Sequence, residues 1–347
     1  MHKSKNKSSR PATIADVARH AGVGAGTVSR VINGSKNVLD ETRAHVMRSV
    51  KTLGYTPNIA AQSLAGGGLL RIAVLAGNPS SNYMSQFLLA LLAHSYRRNC
   101  QILVQKFARA GSAAPTVETL LKNGVDGVIL PPPLGDSQAI VDLLVQAGIP
   151  LVRVGTARPE LEGLSVFIDN AAAMADATRY LLSLGHRQIG FVKGSAKQLD
   201  SAQRYEGFHK AMIQAGLEPN PGWIKLGNYT YQSGISAARS LLEAKKRPTA
   251  ILASNDDMAA AVIAVAHRLN LDVPRDLTVA GFDDTPIATA IWPSLTTVRQ
   301  PIAKMTRIGL DLIYEEIQMR RARKTLGPQQ HCLKSRLIER DSSAVLG

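Results

Sequence analysis

Nearly continuous apolar runs alternate with amphipathic stretches along most of this chain, and the alternation occurs twice. The runs RIAVLAG (71–77), QILVQKF (101–107), DGVILPP (126–132) and IPLVRVG (149–155) are separated by helical patterns around 84–98, 115–123 and 137–147. A second series starts at SVFID (165–169) and continues through QIGFVKG (188–194), WIKLGNY (223–229), TAILASN (249–255) and LTVAGFDD (277–284), again with helices between. Strands apolar on both faces must be covered on both faces, the condition of a parallel sheet in an α/β protein. Two such arrays in tandem predict two doubly wound lobes. Ligands of such sheets sit outside the carboxyl ends of the strands, so the cleft between the lobes is the expected binding site.

Ahead of the arrays, TIADVARHAGVGAGTVSRVIN (13–33) holds two short helical patterns joined by a tight turn. Ile14, Val17, Ala18 and Ala21 fall at i, i+3, i+4 and i+7, a single helix face that Thr13 can cap, and Gly22 ends it. In the second pattern Val28, Val31 and Ile32 face back, leaving Ala25, Gly26, Thr27, Ser29 and Arg30 outward. This is the pattern of a helix-turn-helix, whose second helix can lie in a DNA major groove. A third helix is expected from Asp40, as its cap, to Leu53, with Val46, Val50 and Leu53 inward. The glycines at 22, 24 and 26 follow no strand, which argues against a nucleotide-binding loop.

Charge agrees with this reading. Residues 1–65 hold ten lysines and arginines against three acids, a net of +7 out of +15 for all 347 residues. Such a concentration suits a surface that displaces counterions from phosphate. The leading MHKSKNKSSRP lacks the apolar core of a signal peptide and reads as a disordered basic arm, so a cytoplasmic protein is expected. No apolar run approaches the roughly 20 residues of a membrane span. Cys100 and Cys332 stand far apart and near no histidine cluster, so neither a disulfide framework nor a metal site is expected. No nucleophile motif, HExxH or Walker loop accompanies the histidines, and an enzyme reading rests on fold alone, which does not imply function. No cofactor is expected.

The segments at 13–33, LGYTPNIAAQSLAGG (53–67), LGHRQIGFVKG (184–194), SAQRYEGFHKAM (201–212), ASNDDMA (253–259), VAGFDDTPIA (279–288) and LTTVRQP (295–301) resemble the lactose-repressor and galactose-repressor (LacI/GalR) family of bacterial transcription regulators. The resemblance runs in order from Thr13 to about Arg340. It implies a basic arm (1–12), a helix-turn-helix headpiece (13–57), a hinge helix (58–69) and a two-lobed core (70–347) similar to periplasmic sugar-binding proteins. The expected lobes are 70–162 with 299–327, and 163–298 with 328–341. It further implies a homodimer or tetramer on palindromic operator DNA, controlled by a small-molecule effector, most simply a sugar or sugar derivative.

On the headpiece, Thr13, Thr27 and Ser29 offer hydroxyls to phosphate, Arg30 can make a bidentate contact to guanine, and Ala25 can touch a thymine methyl. Asn33 and Tyr55 are assigned to the same surface. Gly24, Ala25 and Gly26 stand where similar proteins carry larger polar side chains. In the family the hinge helices pair in the minor groove and wedge a leucine between base pairs; Leu64 matches that residue, with Asn58 and Ala61 beside it. In the core, Asp169, Asn255, Asp283 and Gln300 each follow an apolar strand where it meets the cleft, and Asn78 and Ser80 follow the first strand. Arg204 and Tyr229 match family positions that line the effector pocket. Gly155 and Thr156 replace a carboxylate common after the fourth strand, and Arg153 lies within that strand. A nucleobase effector, as in the purine-repressor branch, is the alternative; it would favour aromatic rings on both sides of the pocket, and Tyr229 supplies one. After the expected last core strand, CLKSRLIER, the residues Ser342–Gly347 are too few for a coiled coil, so a dimer is expected.

Overall fold

A computed structural model describes residues 12–32, 38–55, 69–107, 113–160 and 163–347. The chain divides into two compact units, Met1–Leu69 and Leu70–Gly347.

The first unit contains three described helices, α1 (Ile14–His20), α2 (Ala25–Ile32) and α3 (Asp40–Thr52). Thr13 and Asp16 form a capping box that starts α1: Thr13 Oγ1 accepts from the Asp16 amide, and the Asp16 carboxylate accepts from the Thr13 amide. Gly22, at φ +60°, makes the turn. Val17, Ala18, Val28, Val31 and Val46 form the buried centre, with Ile14, Val50, Leu53 and Tyr55 packed around it. The helix pattern expected at 13–33 is thus present. Asp40 is not the cap of α3: Leu39 occupies that position without a side-chain hydrogen bond, and Asp40 begins the helix, 4.0 Å from Arg43.

The second unit holds two six-stranded sheets. In the first, β1 (Leu70–Ala76), β2 (Cys100–Lys106), β3 (Gly127–Leu130), β4 (Leu151–Val154), β5 (Leu164–Ile168) and β11 (Gln329–Leu333) run parallel in the order 11-5-4-3-1-2. In the second, β6 (Ile189–Lys193), β7 (Ile224–Leu226), β8 (Ala250–Ala253), β9 (Thr278–Asp283) and β10 (Thr296–Arg299) are parallel, and β12 (Arg336–Ile338) joins β10 antiparallel, in the order 12-10-9-8-6-7.

Two expectations move here. SVFID is not the start of the second array: β5 is the fifth strand of the first sheet, paired with β4 and β11, and the chain crosses between lobes only after it. CLKSRLIER is not one strand but two, β11 in the first sheet and β12 in the second, so the last crossover lies between them. A strand's apolar pattern shows that it is buried, not which sheet buries it.

Alternation along the strands decides which helices cover each face. Ile72 and Val74 point to the face covered by α4 (Ser81–Ser95) and α11 (Ile302–Arg321), with Phe87, Leu91 and Ile313 buried there. Ala73 and Leu75 meet α5 (Ala113–Lys122) and α6 (Gln138–Gln146) through Val117, Leu120, Ile140 and Leu144. In the second lobe Phe191 packs on Phe208 of α8 (Leu199–Gln214), ring centroids 4.7 Å apart, beside α7 (Asn170–Ser183). The opposite face carries α9 (Tyr231–Leu242) and α10 (Asp256–Arg268). Residues 341–346 pack into this lobe: Ser342 Oγ donates to the Val279 carbonyl at 2.6 Å, and His186 Nε2 donates to the Ala344 carbonyl at 3.1 Å. Among the described residues, no helix is long and apolar enough to cross a membrane.

Helices α7 and α8 approach closely at Gly207, where a Cβ would stand 2.1 Å from the Ala171 carbonyl oxygen. Because that neighbour is backbone, the helices would have to part. Gly207→Ala is expected to destabilise the two-lobed unit by about 1–3 kcal/mol, read as a lower urea midpoint at unchanged slope.

Candidate functional site

At the carboxyl ends of both sheets, several strands hand over to helices that start beside the cleft. Ser80 caps α4, its Oγ accepting from the Tyr83 amide. Asp169 caps α7, and Asn255 caps α10, accepting from the Met258 amide at 3.1 Å. Ser, Asp and Asn favour such positions because a short side chain satisfies an otherwise unpaired first-turn amide.

Between these ends lies a cavity of about 20 Å3, room for about one water, so a larger ligand requires the lobes to part. Asn78, Ser80, Tyr83, Pro132, Gly155 and Ile168 line it from the first lobe, and Asn170, Asp200, Arg204, Tyr229, Asn255, Asp283 and Gln300 complete it. Seven of the eight residues expected for an effector pocket are therefore brought together. The eighth, Asp169, is not: it is exposed, and its carboxylate accepts from the Ala172 amide at 2.8 Å. The neighbouring Asn170 points into the cavity instead, since the first residue of α7 faces inward while its cap faces out. Sequence reasoning also passed over Tyr83 and Asp200. Asp200 was legible as the residue four before Arg204 on one helix face; Tyr83, three after the Ser80 cap, carried no comparable mark.

Arg204 is the electrostatic centre. It is 5% exposed. Its Nε donates to Asn170 Oδ1 at 3.0 Å, Nη1 donates to the Ser254 carbonyl at 2.5 Å, and its guanidinium carbon lies 3.9 Å from the centre of the Phe282 ring. Asp200 and Asp283 stand 3.7 Å from its Nη2 and Nη1. Tyr229 Oη donates to Asp200 Oδ2 at 2.9 Å and Gln300 Nε2 donates to Asp283 Oδ1 at 2.6 Å. Burial pushes the Asp283 carboxyl up to about 7; Arg204 and the Gln300 hydrogen bond pull against this, while Asp257 and Asp200 add to it. Asp256, buried beneath it, is raised as well, by burial first and Asp283 second. Tyr229 and Asp283 both have positive φ, 68° and 114°, unusual for side-chain-bearing residues and characteristic of functional sites. A Cβ at Gly194 would fall 2.2 Å from the Tyr229 ring, so this glycine is what lets the ring reach the cleft.

Not every lining side chain is available to a ligand. Asn255 Nδ2 donates to the Tyr229 carbonyl, and Ser80 Oγ donates to Asp257 Oδ2 at 2.5 Å. The second of these bonds crosses the cleft. Asn82 also donates to Asp257, Gln86 Nε2 to the Asp284 carbonyl, and Gln203 Nε2 to the Ala157 carbonyl, so several hydrogen bonds link the lobes around the cavity.

In the helical unit, Ala25, Gly26 and Arg30 are exposed, Thr27, Ser29 and Tyr55 are half-buried, and Thr13 is exposed with its hydroxyl in the capping box. Arg30 lies along its own helix, Nε donating to the Gly26 carbonyl at 3.3 Å and Nη2 to Thr27 Oγ1 at 3.4 Å. A Cβ at Gly24 or Gly26 would meet nothing, so packing does not require these glycines and they leave the start of α2 bare. Asn33, Asn58, Ala61 and Leu64 lie outside the described residues.

Comparison with known proteins agrees with both units. Residues 13–58 match the family of bacterial regulatory proteins, lacI family, and residues 178–343 the periplasmic binding protein-like domain. Catabolite control protein A of Priestia megaterium is 34% identical over 87% of this chain and 91% of its own length. The HTH-type transcriptional regulator GalS of Salmonella typhimurium is 34% identical, covering 96% of each chain, and the repressor PurR of Serratia proteamaculans 32%, covering 96% and 97%. Among solved structures, a complex of the transcriptional regulator CelR with cellobiose superposes with a TM-score of 0.72 at 30% identity, over 96% of this chain and 100% of that one. The lac repressor dimer bound to operator and the anti-inducer ONPF gives 0.80 at 26% identity, over the same shares. These relatives are transcriptional regulators rather than enzymes. With a helix-turn-helix ahead of two parallel-sheet lobes and relatives of this similarity over nearly its whole length, the chain belongs to the lacI family of bacterial regulatory proteins.

Proposed function

We propose that this regulator is a dimeric repressor of carbohydrate-utilisation genes, released from its operator by a sugar or sugar derivative bound between the lobes. The observation that carries the reading is the cavity at Arg204, Asp200 and Asp283, where carboxylates and a guanidinium 3.7 Å apart can share the donating and accepting sides of vicinal hydroxyls. The names of relatives, a ribose operon repressor at 30% identity and a cellobiose complex of CelR, support the ligand class, and the dimer on operator DNA seen for the lac repressor supports the assembly. Arg30 is the base reader of the headpiece, and two-fold symmetry of a dimer calls for a near-palindromic operator.

A ligand spanning Tyr83 and Asn78 on one lobe and Arg204 and Asp283 on the other adds to the hydrogen bonds that already cross the cleft and biases one arrangement of the lobes. Its effect on DNA is limited by its preference for that arrangement, and coupling of about 1–3 kcal/mol is expected. A purine co-repressor is the second reading. It is favoured by Tyr83, which puts an aromatic ring on the first lobe's side of the cavity, opposite Tyr229, and by relatives named PurR.

A gel shift on DNA flanking the protein's own gene, repeated with sugars and purines, separates the readings: release by a sugar supports induction, and tightening by a purine supports co-repression. In the same assay Arg30→Ala should lose about 1–3 kcal/mol on the operator and its preference over scrambled DNA, with little change on the scrambled duplex.

The raised carboxyl at Asp283 makes a separate prediction. The folded protein holds this proton more tightly than an unfolded chain, whose aspartate titrates near about 4, so the stability it contributes at low pH is lost as pH rises through about 4 to 7. Asp283→Asn removes that dependence. Its Tm, followed by circular dichroism, should fall less than that of wild type between pH 5 and pH 8.

A further inference from the structure

The groups that face the cavity are unequal in sign. Asp200 and Asp283 line it, and Arg204 is the one cation among the described lining residues. That cation is already shared: two carboxylates stand 3.7 Å from it, and Nε and Nη1 donate to Asn170 and the Ser254 carbonyl. Behind Ser80 lies a third buried carboxylate, Asp257, which accepts from Ser80 and Asn82.

Hydrogen-bonding capacity left over by the fold has the same bias. Asp200 and Asp283 each use one oxygen, for Tyr229 and Gln300, and among the described residues neither second oxygen has a hydrogen-bond partner. Tyr83 Oη is fully enclosed and has none either. A ligand that uses this capacity brings O–H or N–H groups to the free Asp200 oxygen and, where Asp283 is ionised, to its free oxygen as well. A phosphate or carboxylate brings acceptors only, sheds its hydration to enter, and meets those same oxygens.

We infer that this cavity selects effectors without negative charge, a neutral polyhydroxylated ring or one bearing a single ammonium group, and rejects phosphorylated and acidic sugars. The inference rests on the sugar-effector reading of the cavity given above. Neutral hydroxyls donate to Asp200 and Asp283 while accepting from Arg204, and an ammonium would sit between the two carboxylates.

Isothermal titration calorimetry of the full-length chain tests it with D-glucose, D-glucosamine, D-glucose 6-phosphate and D-glucuronate, and with the matching galactose set. In the series that binds, the neutral and amino sugars are expected to bind, with the phosphate and uronate at least about tenfold weaker. Asp200→Asn, with a wild-type circular dichroism spectrum, should narrow that gap severalfold, since an amide still accepts from Tyr229 but carries no charge. A phosphate or uronate that binds as tightly as its neutral parent, and loses binding in Arg204→Ala, overturns the inference. If no sugar binds and hypoxanthine does, the sugar reading falls, and the charge rule is judged on hypoxanthine against anionic urate, equal binding of urate overturning it. One arm needs no organic ligand: millimolar inorganic phosphate should shift the Tm of wild type and Arg204→Ala equally, and a shift specific to wild type would contradict a cavity closed to anions.

Discussion

A guanidinium with almost no exposed surface keeps its charge in a protein interior only if carboxylates and hydrogen-bond acceptors replace the water it has lost. Much of the cleft can be understood as meeting that condition for Arg204. Asp200 comes from one turn earlier on the same helix, Asp283 from the end of a strand, Asn170 from the first turn of α7, and the Ser254 carbonyl from the end of β8. Four separate elements thus converge on one side chain. The carboxylates in turn need Tyr229 and Gln300, which fixes a fifth and a sixth segment. The resulting network is polar, largely buried and preorganised before any ligand arrives.

The same economy appears in the caps. Ser80, Asp169 and Asn255 each follow a strand and cap a helix, and two of the three also line the cavity. A helix start must present a short polar side chain for its own first turn, and at a parallel sheet's carboxyl edge that requirement places polar groups at the ligand site. This explains why Asn255 and Ser80, whose hydrogen bonds are taken by backbone and by Asp257, shape the cavity while Asp200, Asp283 and Tyr83 keep capacity for a ligand.

Much of this was readable in advance because parallel strands and amphipathic helices leave strong periodic patterns, and because the helix-turn-helix packs through residues at fixed spacing. Assignment of strands to sheets was not readable: β5 is apolar enough to be buried in either sheet, β11 and β12 are edge strands with little buried surface, and the pairing of Gln329 with Leu164 leaves no local trace. Asp169 was misplaced by one residue because cap and first-turn positions point in opposite directions, a distinction composition does not carry. Tyr83 escaped because an aromatic on an amphipathic helix looks like core until the loops around it are placed.

The central claim is that a ligand held at this buried guanidinium and its carboxylates controls DNA binding by a separate helical unit. Operator affinity with and without saturating effector, measured for wild type and for Asp283→Ala, tests it most directly. The account predicts that wild type changes affinity about 5- to 150-fold with effector, while the variant binds operator as tightly as ligand-free wild type and does not respond. A variant with undiminished response would contradict it, by placing the effector outside this cleft.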